Sequence, residues 1–129
     1  MSTRRRHRDE SGMLSLEAVM VLPVLALMLL GLLEVAGLVR DVLVLHEAAR
    51  AGVRVAATTT GAAAPSAAAI AAAPELSDVR VRVSPTSRRD GDLVRVEVSV
   101  VRRLGPVSHT LRARSVARVE PAVGWSSGP

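Results

Sequence analysis

The chain has 129 residues, a net charge of +5 at pH 7 and no cysteine, which excludes disulfide bonds and thiolate metal sites. It has no Phe or Tyr and a single Trp, and all its basic residues are arginines, so few aromatic side chains could stack on nucleic-acid bases. The composition predicts one small domain with a core of Val, Leu and Ala, and it argues against nucleic acid as a partner.

The N-terminal part of the chain joins a basic leader to a long apolar run. The leader, residues 1–12, contains Arg4, Arg5, Arg6 and Arg8. No charged residue follows Glu17 until Glu34, and the apolar run then continues to Val39. A helix over residues 18–39 is roughly 33 Å long at 1.5 Å per residue, close to the ~30 Å hydrocarbon thickness of a bilayer. The sequence therefore predicts a transmembrane helix over residues 13–39.

The charges on either side of the run predict its orientation. The leader is basic, whereas Arg40 and Asp41 after the run cancel each other. The positive-inside rule predicts a cytoplasmic N-terminus and an extracytoplasmic C-terminus in a single-pass protein of the cell membrane. A secretory signal is an alternative, since Val35-Ala36-Gly37 loosely resembles a cleavage site, but the apolar run is long for one.

Gly12 ends the leader, and Glu17 follows five residues later within the apolar segment. A carboxylate in a membrane segment is costly, so it indicates a functional contact. The string Gly12-Met-Leu-Ser-Leu-Glu17 resembles the cleavage site of type IV prepilins. This resemblance implies cleavage between Gly12 and Met13 by a prepilin peptidase. It also implies that Glu17 pairs with the new terminal ammonium of a neighbouring subunit, which makes the buried charge tolerable.

The wider pattern resembles the TadE-like family of the tight-adherence (Flp-type) pilus system. Its members here are Gly12, Glu17, Pro23, Gly31 and Glu34, followed by the small-residue and arginine segment with Arg50, Gly52 and Arg54. The resemblance covers roughly residues 10–57. It departs at Ala18, where prepilins of this system often carry an aromatic residue. It implies a minor pilin or pilus-assembly subunit that associates laterally with other pilin-like subunits through Glu17, Pro23 and Glu34.

Each of these residues also has a simpler interpretation. Glu17 could be a carboxylate at headgroup level that favours the helix dipole, and Gly12 a flexible boundary. Pro23 is explained by a helix kink, which membrane helices tolerate. Glu34 lies near the outer interface, where its carboxylate can reach headgroups or water.

The helix is predicted to continue beyond the membrane over residues 40–57, which gives one continuous helix from Leu14 to Ala57. One apolar face is predicted there, consisting of Val42, Leu45, Ala49, Val53 and Ala56. Glu47 and Arg50 are spaced to form an ion pair away from that face. The Thr58–Gly61 stretch ends the helix. Residues 58–78 are rich in Ala and Pro and fit either a linker or a short helix capped by Ser66 and ending at Ala73.

Residues 79–120 change to a period of two, which is typical of strands. Valines alternate with arginines or other polar residues from Val79 to Val83 and from Val94 to Val100, and a third alternating run begins at Leu111. We predict a three-stranded antiparallel sheet packed on the apolar face of the helix, an α+β and pilin-like fold. Residues 121–129 are predicted to be a flexible tail.

No pattern indicates an active site. His7, His46 and His109 share no ligand spacing, and the phosphate-loop, nucleophile-elbow and zincin motifs are absent from the sequence. We predict a non-enzyme with no cofactor, metal or small-molecule substrate. The alternative function is a membrane-anchored extracytoplasmic binding module unrelated to pili, whose cationic strands contact a wall polymer, lipid headgroups or another protein.

Overall fold

The computed structural model describes the backbone of residues 6–121 and the side chains of residues 19–121 except Leu104. The leader before Arg6, the predicted tail after Pro121 and the side chains of Gly12, Met13 and Glu17 lie outside this description. The elements are α1 (Arg6–Thr58), α2 (Ala63–Ala71), β1 (Arg80–Ser84), β2 (Leu93–Leu104) and β3 (Val107–Arg118). The chain divides into two compact units, residues 1–38 and residues 39–129, and we call the second the sheet unit.

The first unit consists of the N-terminal part of α1. The helix begins at Arg6, eight residues before the predicted start at Leu14, so Gly12 lies inside it. The arginines and Glu10 of the leader have high helix propensity, and the leader contains no proline that would interrupt a helix. Pro23 also lies inside α1. Within this unit, all side chains from Val19 to Ala36 are exposed.

The sheet unit has a small aliphatic core between α1, α2 and the sheet. Helix α1 contributes Leu45, Ala48, Ala49, Val53 and Ala56, α2 and the residues after it contribute Ala69 and Ala73, and β2 contributes Val94, Val96, Val98 and Val100. Four of the five residues predicted for the helix face are therefore buried, and Val42 is half-buried. The prediction that this face covers the sheet is confirmed.

The sheet is antiparallel, in the order β1-β2-β3, which confirms the predicted α+β fold. Gly105 adopts a φ of +60° in the tight turn between β2 and β3, a value that favours glycine. Both strands are longer than the alternating pattern predicted, because main-chain pairing continues to Leu104↔Val107. The described side chains of this extension, at positions 101–103 and 105–110, are exposed, so burial does not impose alternation on these residues.

The segment after α1 contains a helix, but its start differs from the predicted one. Helix α2 begins at Ala63, and Ala62 occupies its N-cap position without a side-chain capping hydrogen bond. Ser66 lies inside the helix, so the predicted cap at Ser66 is wrong. Pro65 occupies the first turn of α2, where its missing N–H costs no helical hydrogen bond. The helix can therefore begin before the proline and include Ser66.

Candidate assembly helix and its anchorage in the sheet unit

The apolar run from Val19 to Val39 is exposed along most of its length. Its large side chains range from 48% exposed at Val21 to 74% at Met20. Soluble proteins rarely expose a contiguous apolar surface of this size. Among the residues with described side chains, one helix is long and apolar enough to cross a membrane by length and composition. An apolar N-terminal helix of this kind fits a single-pass membrane protein.

The predicted site residues of the first unit are spread along this helix. Gly12, Met13 and Glu17 follow one another in the α1 backbone, and Pro23 lies in its interior. Glu34 is exposed, and no ion pair of its carboxylate is found in the described part of the chain. In the α1 backbone Met13 and Glu17 lie about one turn apart, whereas Glu34 lies nearly five turns beyond Glu17.

The predicted segment after the apolar run belongs to the sheet unit, and its residues differ in environment. The Arg50 guanidinium lies 3.1 Å from the Glu47 carboxylate, which confirms the predicted ion pair, and both side chains are largely exposed. Arg54 is also exposed. Exposed pairs of this kind contribute little to stability. Gly52, in contrast, is buried.

Gly52 is the point where α1 comes closest to both α2 and the sheet. A Cβ atom on Gly52 would lie 3.0 Å from Cγ1 of Val96, 3.1 Å from Cβ of Ala69 and 3.1 Å from the carbonyl oxygen of Pro65. These distances are shorter than ordinary carbon contacts, which lie near 3.5–4.0 Å. Glycine therefore permits a three-way contact among α1, α2 and β2 that a larger residue would push apart.

An ion pair that the sequence did not predict joins α1 to β2. Asp41 and Arg102 form a hydrogen-bonded ion pair, in which the Asp41 side chain is 8% exposed and the Arg102 side chain 49%. The neighbouring Arg40 forms its own ion pair, with Glu75. Asp41 lies one helical turn before the buried Leu45, so its carboxylate is on the apolar face of α1.

The end of α1 is held by the loop between β1 and β2. The Arg88 guanidinium donates hydrogen bonds to the carbonyl oxygens of Thr59, at 2.7 Å, and Gly61, at 2.6 Å. Gly61 adopts a φ of +81°, which favours glycine and suits a helix end. Both carbonyl groups follow the last helical residue, Thr58, so Arg88 fixes the turn that ends α1 and places a cation near the negative end of the helix dipole.

Substituting alanine for Arg88 is expected to lower the free energy of unfolding of the sheet unit by about 1–2 kcal/mol. Hydrogen bonds from a charged group contribute about 1.5–3 kcal/mol. The buried Nε atom of Arg88 finds no partner among the described residues, which offsets part of this gain. Thermal unfolding of the detergent-solubilised chain measures the loss. Arg89→Ala is the matched control, since Arg89 is exposed, and an equal loss in both variants would contradict the capping role.

The sheet has a second face, turned away from the core, that is rich in exposed arginines. We call it the arginine face, and it consists of Arg80, Arg82, Arg95, Arg112, Arg114 and Arg118. The register places Glu97 between Arg82 and Arg114 on neighbouring strands. The predicted alternation thus separates a valine core from a cationic surface. No cluster of three or more potential metal-ligating side chains occurs among the described residues.

Comparison with known proteins adds one match. Residues 12–54 match the family model described as TadE-like protein. Searches of curated proteins and of solved structures return no significant match to this chain. The family match begins at Gly12 and ends at Arg54, so it includes the apolar helix and the buried Gly52. TadE-like proteins are pilus-associated structural proteins. Residues 12–54 of this chain therefore form a TadE-like segment, as the pattern of its glycines, glutamates and proline predicts.

Proposed function

We propose that this protein is a single-pass, non-enzymatic subunit that acts in assembly of a tight-adherence (Flp-type) pilus. The observation that carries the proposal is the exposed apolar helix inside the matched segment. Such a surface needs lipid or another helix to cover it. In the proposed function the bilayer covers most of the apolar run, and pilin-like subunits cover the rest by lateral association.

The proposed orientation places the leader in the cytoplasm and the sheet unit outside. Four arginines precede the apolar run, whereas the two charges directly after it are each paired within the sheet unit, Arg40 with Glu75 and Asp41 with Arg102. The positive-inside rule weighs the basic residues near the ends of a span. Four arginines lie in the leader and three, Arg40, Arg50 and Arg54, lie in the fifteen residues after the run, and this small excess supports a cytoplasmic leader.

Cleavage after Gly12 would make Met13 the first residue and Glu17 the fifth. The two residues are then about 6 Å apart along a helix with a rise of 1.5 Å per residue. The new ammonium and the Glu17 carboxylate both lie at the end of an apolar helix, where an unpaired charge is costly. Pairing them between neighbouring subunits satisfies both charges, and Pro23 and Glu34 then lie in the same helix contacts.

The intact mass of the membrane-extracted protein tests processing. The proposal predicts a chain that lacks residues 1–12. Loss of the chain through Gly37 would instead indicate a secreted protein, and a full-length chain would indicate a membrane anchor without prepilin processing. Either of these two results would contradict the proposed cleavage.

Replacing Glu17 with alanine is expected to abolish incorporation into pilus-assembly complexes while leaving membrane insertion unchanged. The substitution removes the charge that pairs between subunits and leaves an apolar helix that inserts at least as well. Co-purification with pilin-like subunits from membranes measures incorporation, and resistance to alkaline extraction measures insertion. Glu10→Ala is the control, because this residue belongs to the leader that cleavage removes. Normal incorporation of the Glu17→Ala variant would contradict the pairing.

A second candidate function rests on the arginine face. Its cationic side chains are exposed and grouped on one side of the sheet, as in a binding surface for an anionic partner. In that case the chain is an anchored binding module, and the Glu17→Ala variant retains its partner. Paired charge reversals at Arg82 and Arg114 would abolish partner binding in this second function and leave incorporation into pilus complexes intact in the first.

A further inference from the structure

The direction of the β2–β3 hairpin relative to the helix of the sheet unit is set by two contacts. At one end, Arg102 of β2 binds Asp41. At the other, the backbone N–H of Glu120, just after β3, donates to the carbonyl oxygen of Ala57 at 3.0 Å. The hairpin therefore runs alongside residues 41–57, and its turn lies beyond the Asp41 end.

This geometry puts the hairpin turn close to the end of the apolar run. Asp41 follows Val39 by two residues, which is at most about 8 Å of chain at 3.8 Å per residue. Two further residue pairs, Arg103↔Ser108 and Leu104↔Val107, extend the hairpin past Arg102, by about 7 Å at 3.3–3.4 Å per residue. The headgroup layer on each side of a bilayer is about 5–8 Å thick. The length of hairpin beyond Arg102 therefore matches the thickness of the headgroup layer, so the turn is long enough to enter that layer.

The chemistry of the turn suits the headgroup layer. Val101 and Val107 are 50% and 51% exposed, and Arg103 is exposed beside them. The sequence has no acidic residue from Val98 through Val119. The main-chain groups on either side of the turn are paired across the hairpin, which lowers the cost of leaving bulk water. Apolar side chains next to an arginine fit an interface that offers acyl chains and anionic phosphates.

We propose that the β2–β3 turn, residues 101–107, binds the headgroup layer of the membrane in which the apolar helix is anchored. This inference rests on the proposed membrane anchorage and adds a second contact with the same bilayer. The Arg102–Asp41 pair holds the base of the hairpin at the end of the apolar run. The sheet unit is then fixed to the membrane surface at two points instead of one.

Single-cysteine labelling tests this contact, because the native chain has no cysteine. The full-length Val107→Cys variant is labelled with a fluorophore and reconstituted in vesicles of phosphatidylcholine and phosphatidylglycerol that contain a headgroup-level lipid quencher. Val116→Cys is the matched control, because Val116 is a similarly exposed valine of the same strand. It lies nine residues farther from the turn, about 30 Å along the strand.

The proposal predicts quenching at position 107 that is severalfold stronger than at position 116. Adding Arg103→Glu should reduce the quenching at position 107 severalfold, whereas Arg118→Glu, at the far end of β3, should leave it unchanged. Equal, weak quenching at both cysteines in vesicles that hold the inserted chain would overturn the headgroup contact and leave the membrane anchor intact. Failure of the chain to float with the vesicles would overturn the anchor and this contact together.

Discussion

Replacing Gly52 with valine is expected to lower the free energy of unfolding of the sheet unit by about 3 kcal/mol or more. Added carbons in a packed core cost about 1–3 kcal/mol, occasionally more, and here they would meet three neighbours at once, Val96, Ala69 and the Pro65 carbonyl group. A core without Phe or Tyr has little stability to spare, because small domains are stable by only about 5–15 kcal/mol. Hydrogen exchange of the β2 amides and thermal unfolding in detergent measure the effect.

Substitutions of increasing size at Gly52 separate the effect of core packing on stability from the effect of helix propensity. Gly52→Ala gains about 1 kcal/mol of helix propensity, which offsets part of the crowding, so its loss should be smaller than that of Gly52→Val. Gly37 is the control on the same helix, since a Cβ there would meet no atom within 4 Å. Gly37→Ala should leave β2 exchange unchanged. A Gly52→Val protein as stable as the native one would contradict the close approach of α1 to the sheet.

Replacing Arg102 with alanine is expected to lower the free energy of unfolding of the sheet unit by about 2–3 kcal/mol. The variant leaves the Asp41 carboxylate buried without its partner. Loss of one partner from a fully buried pair costs about 3–5 kcal/mol, and the half-exposed guanidinium of Arg102 lowers this figure. Denaturant unfolding followed by circular dichroism measures the loss.

The two partners of this pair should not respond equally. Asp41→Ala leaves the half-exposed Arg102 free to reach water, so it should cost less than Arg102→Ala. The double variant should resemble Asp41→Ala, because no buried charge is left behind. Arg103→Ala, next in sequence and exposed, is the control and should be nearly neutral. Equal losses for the two single variants would contradict the buried carboxylate.

The predicted elements that the structure confirms are those whose pattern is local. The helix face with Leu45 and Val53 follows from spacings of three and four, and the core valines of β2 follow from strict alternation. Both patterns arise because one side of an element is buried. Where the described side chains are exposed, as in the hairpin just beyond Val100, the pattern stops and the predicted strand ends too early.

The features that the sequence did not predict depend on contacts between distant parts of the chain. The pairing of Asp41 with Arg102 joins residues 61 positions apart, and the capping of the α1 end by Arg88 spans 27 to 29 positions. Gly52 was predicted only as part of a family-like segment, because its spatial neighbours, Ala69 and Val96, lie far along the chain. The start of α2 was misplaced because Pro65 suits either a linker or the first turn of a helix.

Site-specific photo-crosslinking tests whether the apolar helix associates laterally with other pilin-like subunits. A photo-reactive amino acid replaces each residue from Val19 to Val39 in turn, in cells that assemble the pilus, and mass spectrometry identifies the products. We predict crosslinks to pilin-like subunits at positions spaced three and four apart, along one face of the helix, and their loss when Glu17 is replaced by alanine. Crosslinks to lipid alone at every position would contradict lateral association of the helix.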